Sequence, residues 1–288
     1  MNGILLVDKP SDWTSNDVVC KLRGVFHEKR IGHSGTLDPL ATGLLVVFIG
    51  KATKAVEYSE AQHKTYRAEM LLGRITDTQD ITGRTLCENK VNISREQLEA
   101  VVSRFTGTID QIPPMYSALK INGERLYKLA REGREVERKA RSITVDDINI
   151  ESFSGEKCVF TVKCSKGTYI RTLCHDIGAE LGCGGCMSSL RRLSCGNHSI
   201  DNAHSLDSVV RTSDPSALEQ LLIPVDTVFS EFDSIVLDSA GIEKLKNGNS
   251  IICHRSSGRY RIYDESGQFV SLCDCESDKL KIVKNFFI

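Results

Sequence analysis

The sequence predicts an α+β fold with a mixed, mostly antiparallel central sheet flanked by helices, followed by a small C-terminal β-barrel-like module. Segments with strand periodicity and segments with helix periodicity do not alternate regularly, as they would around a parallel sheet. The longest apolar run, residues 44–49, has the length of one buried strand. Near residue 234 the pattern changes to short strands separated by glycine-containing turns, which is typical of a small barrel.

Apolar spacing and capping residues predict the elements of the first 110 residues. They are a strand at residues 4–7, a helix over 18–26 capped by Thr14 or Ser15, a buried strand at 44–49, a half-buried strand at 64–72, and a helix that begins after Ser94 and ends before Gly107. In the strand at 64–72, alternation places Tyr66 on the apolar face. The pair Ser94 and Gln97 has the spacing of a capping box.

The same reasoning continues to the C-terminal end. The predicted elements are a basic helix at 122–131 ended by Gly133, paired strands at 142–153 and 158–164, a helix at 168–181 closed by Gly182, regular structure over 190–193, two short helices within 201–233, a helix at 239–246, and strands at 251–252, 260–263, 269–272 and 280–283. We therefore expect two domains, residues 1–232 and residues 233–288.

Composition indicates an ordinary soluble protein, because 40% of the 288 residues are hydrophobic and 26% are charged. The apolar run at residues 4–7 is too short for a signal sequence, and residues 44–49 cannot span a bilayer. We expect a cytoplasmic protein that does not bind membranes.

The 11 cysteines are an odd number, and in a reducing compartment we expect free thiols. Cys183, Cys186, Cys195 and His198 have the spacing of zinc ligands at each end. The residues between them read as regular structure, so small buried thiols are the favoured interpretation and a zinc site is the alternative.

Charge is distributed unevenly, although the formal net charge is only −1. Residues 1–200 hold 28 Lys and Arg against 24 Asp and Glu, whereas residues 201–288 hold 9 against 14. Between residues 120 and 141 there are eight basic and four acidic residues. A polyanion can be bound locally by such a segment, although a solvated helix face would have the same composition.

The segment from Gly32 to Gly43 holds a single acid, Asp38, between turn-forming glycines and Pro39. A tightly bent loop around one carboxylate can present a nucleophile or base. An Asp-Pro turn that merely connects two elements is the alternative.

Three further residues favour the chemical interpretation. Tyr66 lies on a strand, and Tyr169 and Arg171 lie at a strand-to-helix junction. Aromatic rings and an arginine around one acid could hold a flat, flipped base and keep the acid ionised. A cation in the first turn of a helix opposes the helix dipole, so Arg171 is easier to explain if a carboxylate lies against it.

These segments together closely resemble the bacterial tRNA pseudouridine-55 synthases, the TruB family. The matching segments are residues 3–10, 32–43, 64–67, 72–78, 112–120, 164–171 and 190–192. The resemblance covers about the first 200 residues in register, and the last 55 or so resemble the family's RNA-binding PUA-type module only in outline. The resemblance implies a catalytic fold with RNA-binding loops and a PUA-like module.

The resemblance also implies roles for individual residues. Asp38 would be the catalytic carboxylate, with Arg171 paired to it. The other substrate-binding residues would be Tyr66 stacking on the uracil, Tyr169 and Leu190 as pocket walls, His33 near the flipped nucleotide, and Lys9 with Pro10 supporting the loop. For the basic segment, we expect Lys120, Arg125, Lys128 and Arg131 to bind RNA.

The implied reaction isomerises uridine to pseudouridine in the T-arm loop of tRNA, by breaking the N1–C1′ bond and rejoining the base through C5. It involves no redox step and no added atom, so we expect no cofactor and no metal. We expect tRNA as the partner, no obligate protein partner, and a monomer. A guide-RNA-dependent synthase, a non-catalytic RNA-binding protein and an accompanying tRNA-folding role are the alternatives, and the covalent role of Asp38 stays open.

Overall fold

The structure is a computed structural model that describes residues 1–121 and 123–286. The first nine strands are β1 (Gly3–Lys9), β2 (Ile31–Ser34), β3 (Thr42–Ile49), β4 (Lys64–Leu72), β5 (Arg74–Thr76), β6 (Thr85–Glu88), β7 (Gly107–Gln111), β8 (Lys120–Ile121) and β9 (Glu124–Arg125). The other strands are β10 (Arg141–Ser154), β11 (Lys157–Cys164), β12 (Gly185–Cys195), β13 (His198–Ser199), β14 (His204–Ser205), β15 (Asp233–Leu237), β16 (Ile251–Ile252), β17 (Gly258–Asp264), β18 (Phe269–Glu276) and β19 (Lys279–Asn285).

Most of the helices follow the predicted apolar stripes and caps, whereas α2 was not predicted and α4 starts later than predicted. They are α1 (Ser15–Phe26), α2 (Val56–Ala61), α3 (Arg95–Val102), α4 (Leu126–Arg131), α5 (Ile170–Glu180), α6 (Leu206–Arg211), α7 (Pro215–Gln220) and α8 (Ser239–Lys246), with 3₁₀ turns at Gly50–Ala55, Ser103–Phe105, Ile200–Asn202 and Val225–Phe229. Thr14, rather than Ser15, caps α1, and the Ser94–Gln97 capping box is present at α3.

One large sheet forms the body of the molecule, in the order β14-β1-β3-β12-β4-β11-β10-β7, with β2 beside β3 and β13 beside β12. Most neighbours are antiparallel, and the pairs β1–β14 and β3–β12 are parallel. The predicted mixed, mostly antiparallel sheet is therefore confirmed. Strand β12 lies between β3 and β4, so it joins the two segments that carry the candidate site.

The C-terminal strands form a second sheet in the order β15-β17-β18-β19-β16. Helix α8 matches the predicted range, whereas β15 was not predicted, because its short apolar core follows two acids and the connecting segment reads as polar. Phe48 of the large sheet lies in one buried cluster with Phe229, Phe269 and Phe286. The two sheets consequently share an apolar core.

The predicted helix at residues 122–131 is wrong at its start. Strands β8 and β9 pair Lys120 with Arg125, and α4 begins only at Leu126. Leu126 and Leu129 are its buried residues, so the tertiary contact that stabilises the helix starts there. Asn122, the first residue of the predicted helix, lies outside the described residues.

Candidate active site

The Asp38 loop joins β2 to β3 and is held at several points. The Leu37 amide donates to the Ser15 hydroxyl oxygen at 2.9 Å. Within the loop, the Ala41 amide donates to the Asp38 carbonyl at 3.0 Å. Gly43 closes the loop with φ +97°, and a Cβ there would lie 2.4 Å from the Arg192 carbonyl oxygen. The loop is thus fixed by its backbone and packs directly on β12.

Lys9 supports this loop from below. Its side chain is fully buried, and Nζ donates to the carbonyl oxygens of Pro10 at 2.8 Å, Trp13 at 2.6 Å and Pro39 at 3.3 Å. Burial lowers the pKa of Lys9 to about 8. Because Nζ is used by three carbonyls beneath the loop, Lys9 stabilises the conformation of the site.

We predict that Lys9→Met lowers the free energy of unfolding by about 2–4 kcal/mol, because three carbonyls lose their donor. In the wild type the unfolded chain keeps the Lys9 proton up to pH 10.5, whereas the folded chain releases it near pH 8. Stability should therefore rise with pH across this window in the wild type. Denaturant unfolding of both proteins from pH 7 to 10.5 checks this, and parallel pH curves for the two would contradict it.

Arg171 binds the Asp38 carboxylate. The distances from Nη2 to Oδ1 and Oδ2 are 3.3 and 3.1 Å, and the same Nη2 donates to the Tyr116 carbonyl at 2.7 Å. The Arg171 side chain is 7% exposed and that of Asp38 is 35% exposed. The arginine is therefore fixed, while the carboxylate stays accessible to a substrate. The predicted ion pair that explains a cation in the first turn of α5 is present.

Asp80 is a second acid at the site, and sequence reasoning missed it. Its Oδ2 lies 3.7 Å from Arg171 Nη1, and its side chain is only 7% exposed. Thr78 and Thr82 hold it through hydroxyl donors at 2.9 and 2.5 Å. Arg171 thus lies between two carboxylates. The sequence offers little indication that Asp80 belongs to the site, because it is in a turn 42 residues after Asp38 and on another element.

Burial raises the pKa of Asp38 above its ordinary value, and the Asp80 charge raises it further. Arg171 and Lys9 act in the opposite direction. Arg171 lowers the pKa of Asp38, as expected for this pair, but burial raises that pKa by more. The ionised form of Asp38 therefore depends on Arg171.

Leu37, the residue before the acid, belongs to a buried apolar cluster that contains other predicted site residues. Leu37, Tyr66 and Leu190 are buried members of one cluster, and the pairing of β4 with β12 sets Leu190 opposite Ala68. Tyr169 lies at the start of α5, with the Arg171 guanidinium 6.0 Å from its ring centre. These surfaces could hold a flat ring and keep water away from it.

Gln111 fixes Tyr169, and it is a further residue that the sequence did not reveal. Its Oε1 accepts from the Tyr169 amide at 2.8 Å, and its Nε2 donates to the Tyr169 carbonyl at 3.1 Å. Gln111 is buried at the end of β7. It replaces the capping side chain that α5 lacks.

His33 lies on β2, just before the loop, and is partly buried. Burial, aided by the charge of Arg192, lowers the pKa of His33 to about 4. The imidazole is therefore neutral at physiological pH. Contact with RNA would rely on hydrogen bonding or stacking and not on a positive charge.

Comparison with known proteins decides the family. The model described as TruB family pseudouridylate synthase (N terminal domain) matches residues 23–170. The tRNA pseudouridylate synthase B C-terminal domain matches residues 171–230. The chain belongs to the TruB family of pseudouridylate synthases. The TruB resemblance read from the motifs is confirmed.

Curated TruB-family relatives match over almost the whole chain. The tRNA pseudouridine synthase B of Clostridium novyi is 45% identical over 290 residues, covering 99% of both chains. The corresponding protein of Chromobacterium violaceum is 42% identical over 283 residues, covering 96% of this chain and 92% of its own. Similarity at this level extends through the C-terminal sheet.

Solved structures show the same fold. A chain of an H/ACA RNP bound to a substrate RNA containing 2′-deoxyuridine has a TM-score of 0.75 and 22% identity, over 99% of this chain and 85% of that chain. A chain of a Cbf5-Nop10-Gar1 complex has a TM-score of 0.76 and 23% identity with the same coverage. The α+β architecture is shared with these two chains.

The predicted RNA-binding residues lie on one continuous segment, the β8–β9 hairpin and α4. Lys120, Arg125, Lys128 and Arg131 are all exposed. Arg125 and Arg131 lie over the ring of Tyr127, 5.9 and 5.5 Å from its centre. The Tyr127 amide donates to the Ser117 carbonyl at 3.1 Å, one residue after the Tyr116 carbonyl that binds Arg171. The basic segment is therefore tied directly to the site.

The zinc alternative does not fit the observed strand. Cys186 and Cys195 lie at opposite ends of β12, roughly 30 Å apart at about 3.3 Å per residue. Cys183, Cys186, Cys195 and His198 are buried, as the favoured interpretation predicted. Over residues 1–121 and 123–286, no three His, Cys, Asp or Glu side chains are grouped as metal ligands would be.

Proposed function

We propose that this protein isomerises uridine to pseudouridine in the T-arm loop of tRNA, at position 55, with Asp38 as the catalytic carboxylate. The observation that carries the proposal is the accessible Asp38 carboxylate held by the buried Arg171, on a loop whose Leu37 belongs to the same apolar cluster as Tyr66 and Leu190. The full-length relatives, which are named tRNA pseudouridine synthases, support the substrate class.

The geometry suits the chemistry of this reaction. The target uridine must leave the RNA stack, which costs a few kcal/mol and favours a loop nucleotide. Tyr66 would stack on the flipped uracil, while Tyr169 and Leu190 would close the pocket around it. Water has to be excluded while the base is detached from C1′, because hydrolysis would release it. Asp38 would act in its ionised form, stabilised by Arg171.

We further propose that residues 1–232 form the catalytic domain and residues 233–288 a PUA-like RNA-binding module. The change of sheet at Asp233 supports this division. No helix in the described part of the chain is long and apolar enough to cross a membrane. We propose a cytoplasmic monomer that needs no obligate protein partner and no guide RNA, because the relatives with 39–45% identity are named tRNA pseudouridine synthase B.

The direct test is incubation with unmodified tRNA carrying tritium at uracil C5. C5 loses its hydrogen when it becomes the glycosidic carbon, so tritium release reports the isomerisation. The modified position is then mapped chemically, with tRNA that carries cytidine at position 55 as the matched control. Release from the wild-type tRNA alone would support the proposal. No release, or equal release from the control tRNA, would contradict the activity or the position, respectively.

We predict that replacing Arg125, Lys128 and Arg131 by glutamine weakens tRNA binding and flattens its salt dependence, by on the order of one unit of log–log slope for each lost phosphate contact. The matched control exchanges Lys and Arg at the same three positions and keeps the charge. Binding titrations over a range of salt concentrations measure both slopes. An unchanged slope in the glutamine variant would show that this segment faces away from the RNA.

A further inference from the structure

Arg192 is a buried cation whose guanidinium has been given no role in the site described above. It lies in β12, two residues after Leu190, and has no accessible surface. Its Nε donates to the Leu44 carbonyl at 2.6 Å. Within residues 1–121 and 123–286, neither Nη1 nor Nη2 has an acceptor in good hydrogen-bond geometry. Burying a guanidinium with two unused donor groups is strongly unfavourable, so a role that requires the charge has to be sought.

The strand register places Arg192 directly opposite Tyr66 in the β4–β12 pairing. Opposite residues on neighbouring strands project to the same face and interact. On its other side, a Cβ on Gly35 would lie 3.1 Å from Arg192 Nη1. Gly35 has φ +68° and begins the loop that carries Asp38. The guanidinium therefore lies between the ring proposed to stack on uracil and the start of the catalytic loop.

Among the charged groups around Tyr66, Arg192 has the largest effect on the pKa of the phenol. Burial raises the pKa of Tyr66, the positive charge of Arg192 is the largest effect in the opposite direction, and a hydrogen-bonding interaction with the Arg192 side chain lowers that pKa further. Cys164 and Cys195 face the same phenol and raise its pKa. Burial raises the pKa of Cys164 to about 11, so that thiol is uncharged at neutral pH.

The remaining polar neighbours are occupied or neutral. Lys64, at the start of the same strand, donates through Nζ to the Glu60 and Gln62 carbonyls at 2.7 and 2.6 Å. His33, with its pKa near 4, is neutral. Arg192 is thus the buried cation available to the Tyr66 hydroxyl.

We propose, on the basis of the function proposed above, that Arg192 is a positioning residue that orients the Tyr66 hydroxyl through its charge and, through that hydroxyl, holds the ring in place against the flipped uracil. Its backbone carbonyl, which closely approaches Gly43, links the same residue to the end of the Asp38 loop. Removing the charge should therefore impair the chemical step more than the binding of RNA.

The test uses Arg192→Met, which removes the charge at similar length, and Arg192→Lys, which keeps it. Each is made alone and together with Tyr66→Phe. In single-turnover assays we expect Arg192→Met to lower the rate about 10- to 100-fold with little change in tRNA Kd. Arg192→Lys should retain most of the rate. In the Tyr66→Phe background, Arg192→Met should cause no further loss. Equal losses in the two backgrounds, or equal losses for Met and Lys, would overturn the proposal.

A second measurement covers the case in which Arg192→Met does not fold, and it is independent of activity. Tyrosines are labelled with ¹³C at Cζ, and the Tyr66 signal is assigned with the Tyr66→Phe variant. We expect this signal to move in Arg192→Lys and to stay in place in Arg191→Lys, whose side chain pairs instead with Asp8 at 2.7 Å. An unmoved signal in Arg192→Lys would overturn the proposal. Absence of pseudouridine formation by the wild type would instead contradict the proposed function.

Discussion

Asp38→Asn is expected to lower the rate of pseudouridine formation by at least about 10⁴-fold, while tRNA affinity stays close to that of the wild type. Asparagine keeps the size of the side chain but cannot act as a nucleophile or base. The loop should keep its shape, because its contacts to Ser15 and Lys9 are made by the backbone. Single-turnover tritium release and a binding titration measure the two quantities separately.

Asp12→Asn is the matched control for this substitution. Asp12 is exposed, and its amide donates to the Pro39 carbonyl of the same loop at 2.9 Å. Its φ of +65° is in the left-handed region, which asparagine tolerates well. The control should therefore keep nearly full activity. Substantial activity in Asp38→Asn would refute the catalytic role of this carboxylate.

The second large effect is expected for Arg171→Met, which should lower the rate near neutral pH by about 10²- to 10³-fold, equivalent to about 3–4 kcal/mol of activation free energy, because Asp38 loses the cation that favours its ionised form. Asp38 and Asp80 would then face each other without the cation between them. Arg171 is the largest effect that lowers the pKa of Asp38, so its loss raises that pKa further. The acidic limb of the pH–rate profile should move to higher pH, and activity should partly recover as the pH rises.

Combining Arg171→Met with Asp80→Asn tests this explanation. Removing the Asp80 charge lowers the pKa of Asp38, because that charge raises it, so the double variant should be more active than Arg171→Met alone at neutral pH. Asp80→Asn alone should shift the acidic limb of the wild-type profile to lower pH. A profile that is identical in all variants would mean that the limb reports another group.

The elements near the site were largely predictable from the sequence, because hydrophobic periodicity and capping are local signals. The alternation in β4 placed Tyr66 on the buried face, and it is 8% exposed. The glycines around Asp38 indicated a tight loop, and the odd placement of Arg171 at a helix start indicated a carboxylate partner. The resemblance to a family then assigned roles that periodicity alone could not.

The start of α4 was not predictable from charge or spacing. Lys120 and Arg125 pair across a hairpin, and the helix forms only where Leu126 and Leu129 are buried. Short helices depend on tertiary packing for most of their stability. Because this basic segment has no strong apolar stripe, its sequence does not determine where α4 begins.

By itself, the sequence determined the family and the order of most elements, and it singled out Asp38 as the candidate acid. Only the tertiary structure revealed that Asp80 shares Arg171 with Asp38 and which three carbonyl oxygens accept from Lys9. It also placed Arg192 opposite Tyr66, 126 positions away in the chain. Local patterns specify which face of an element is buried, whereas strand register and packing decide which charges meet inside the protein. The charged side chains brought together in this way set the pKa of Asp38, on which the chemistry proposed for the site depends.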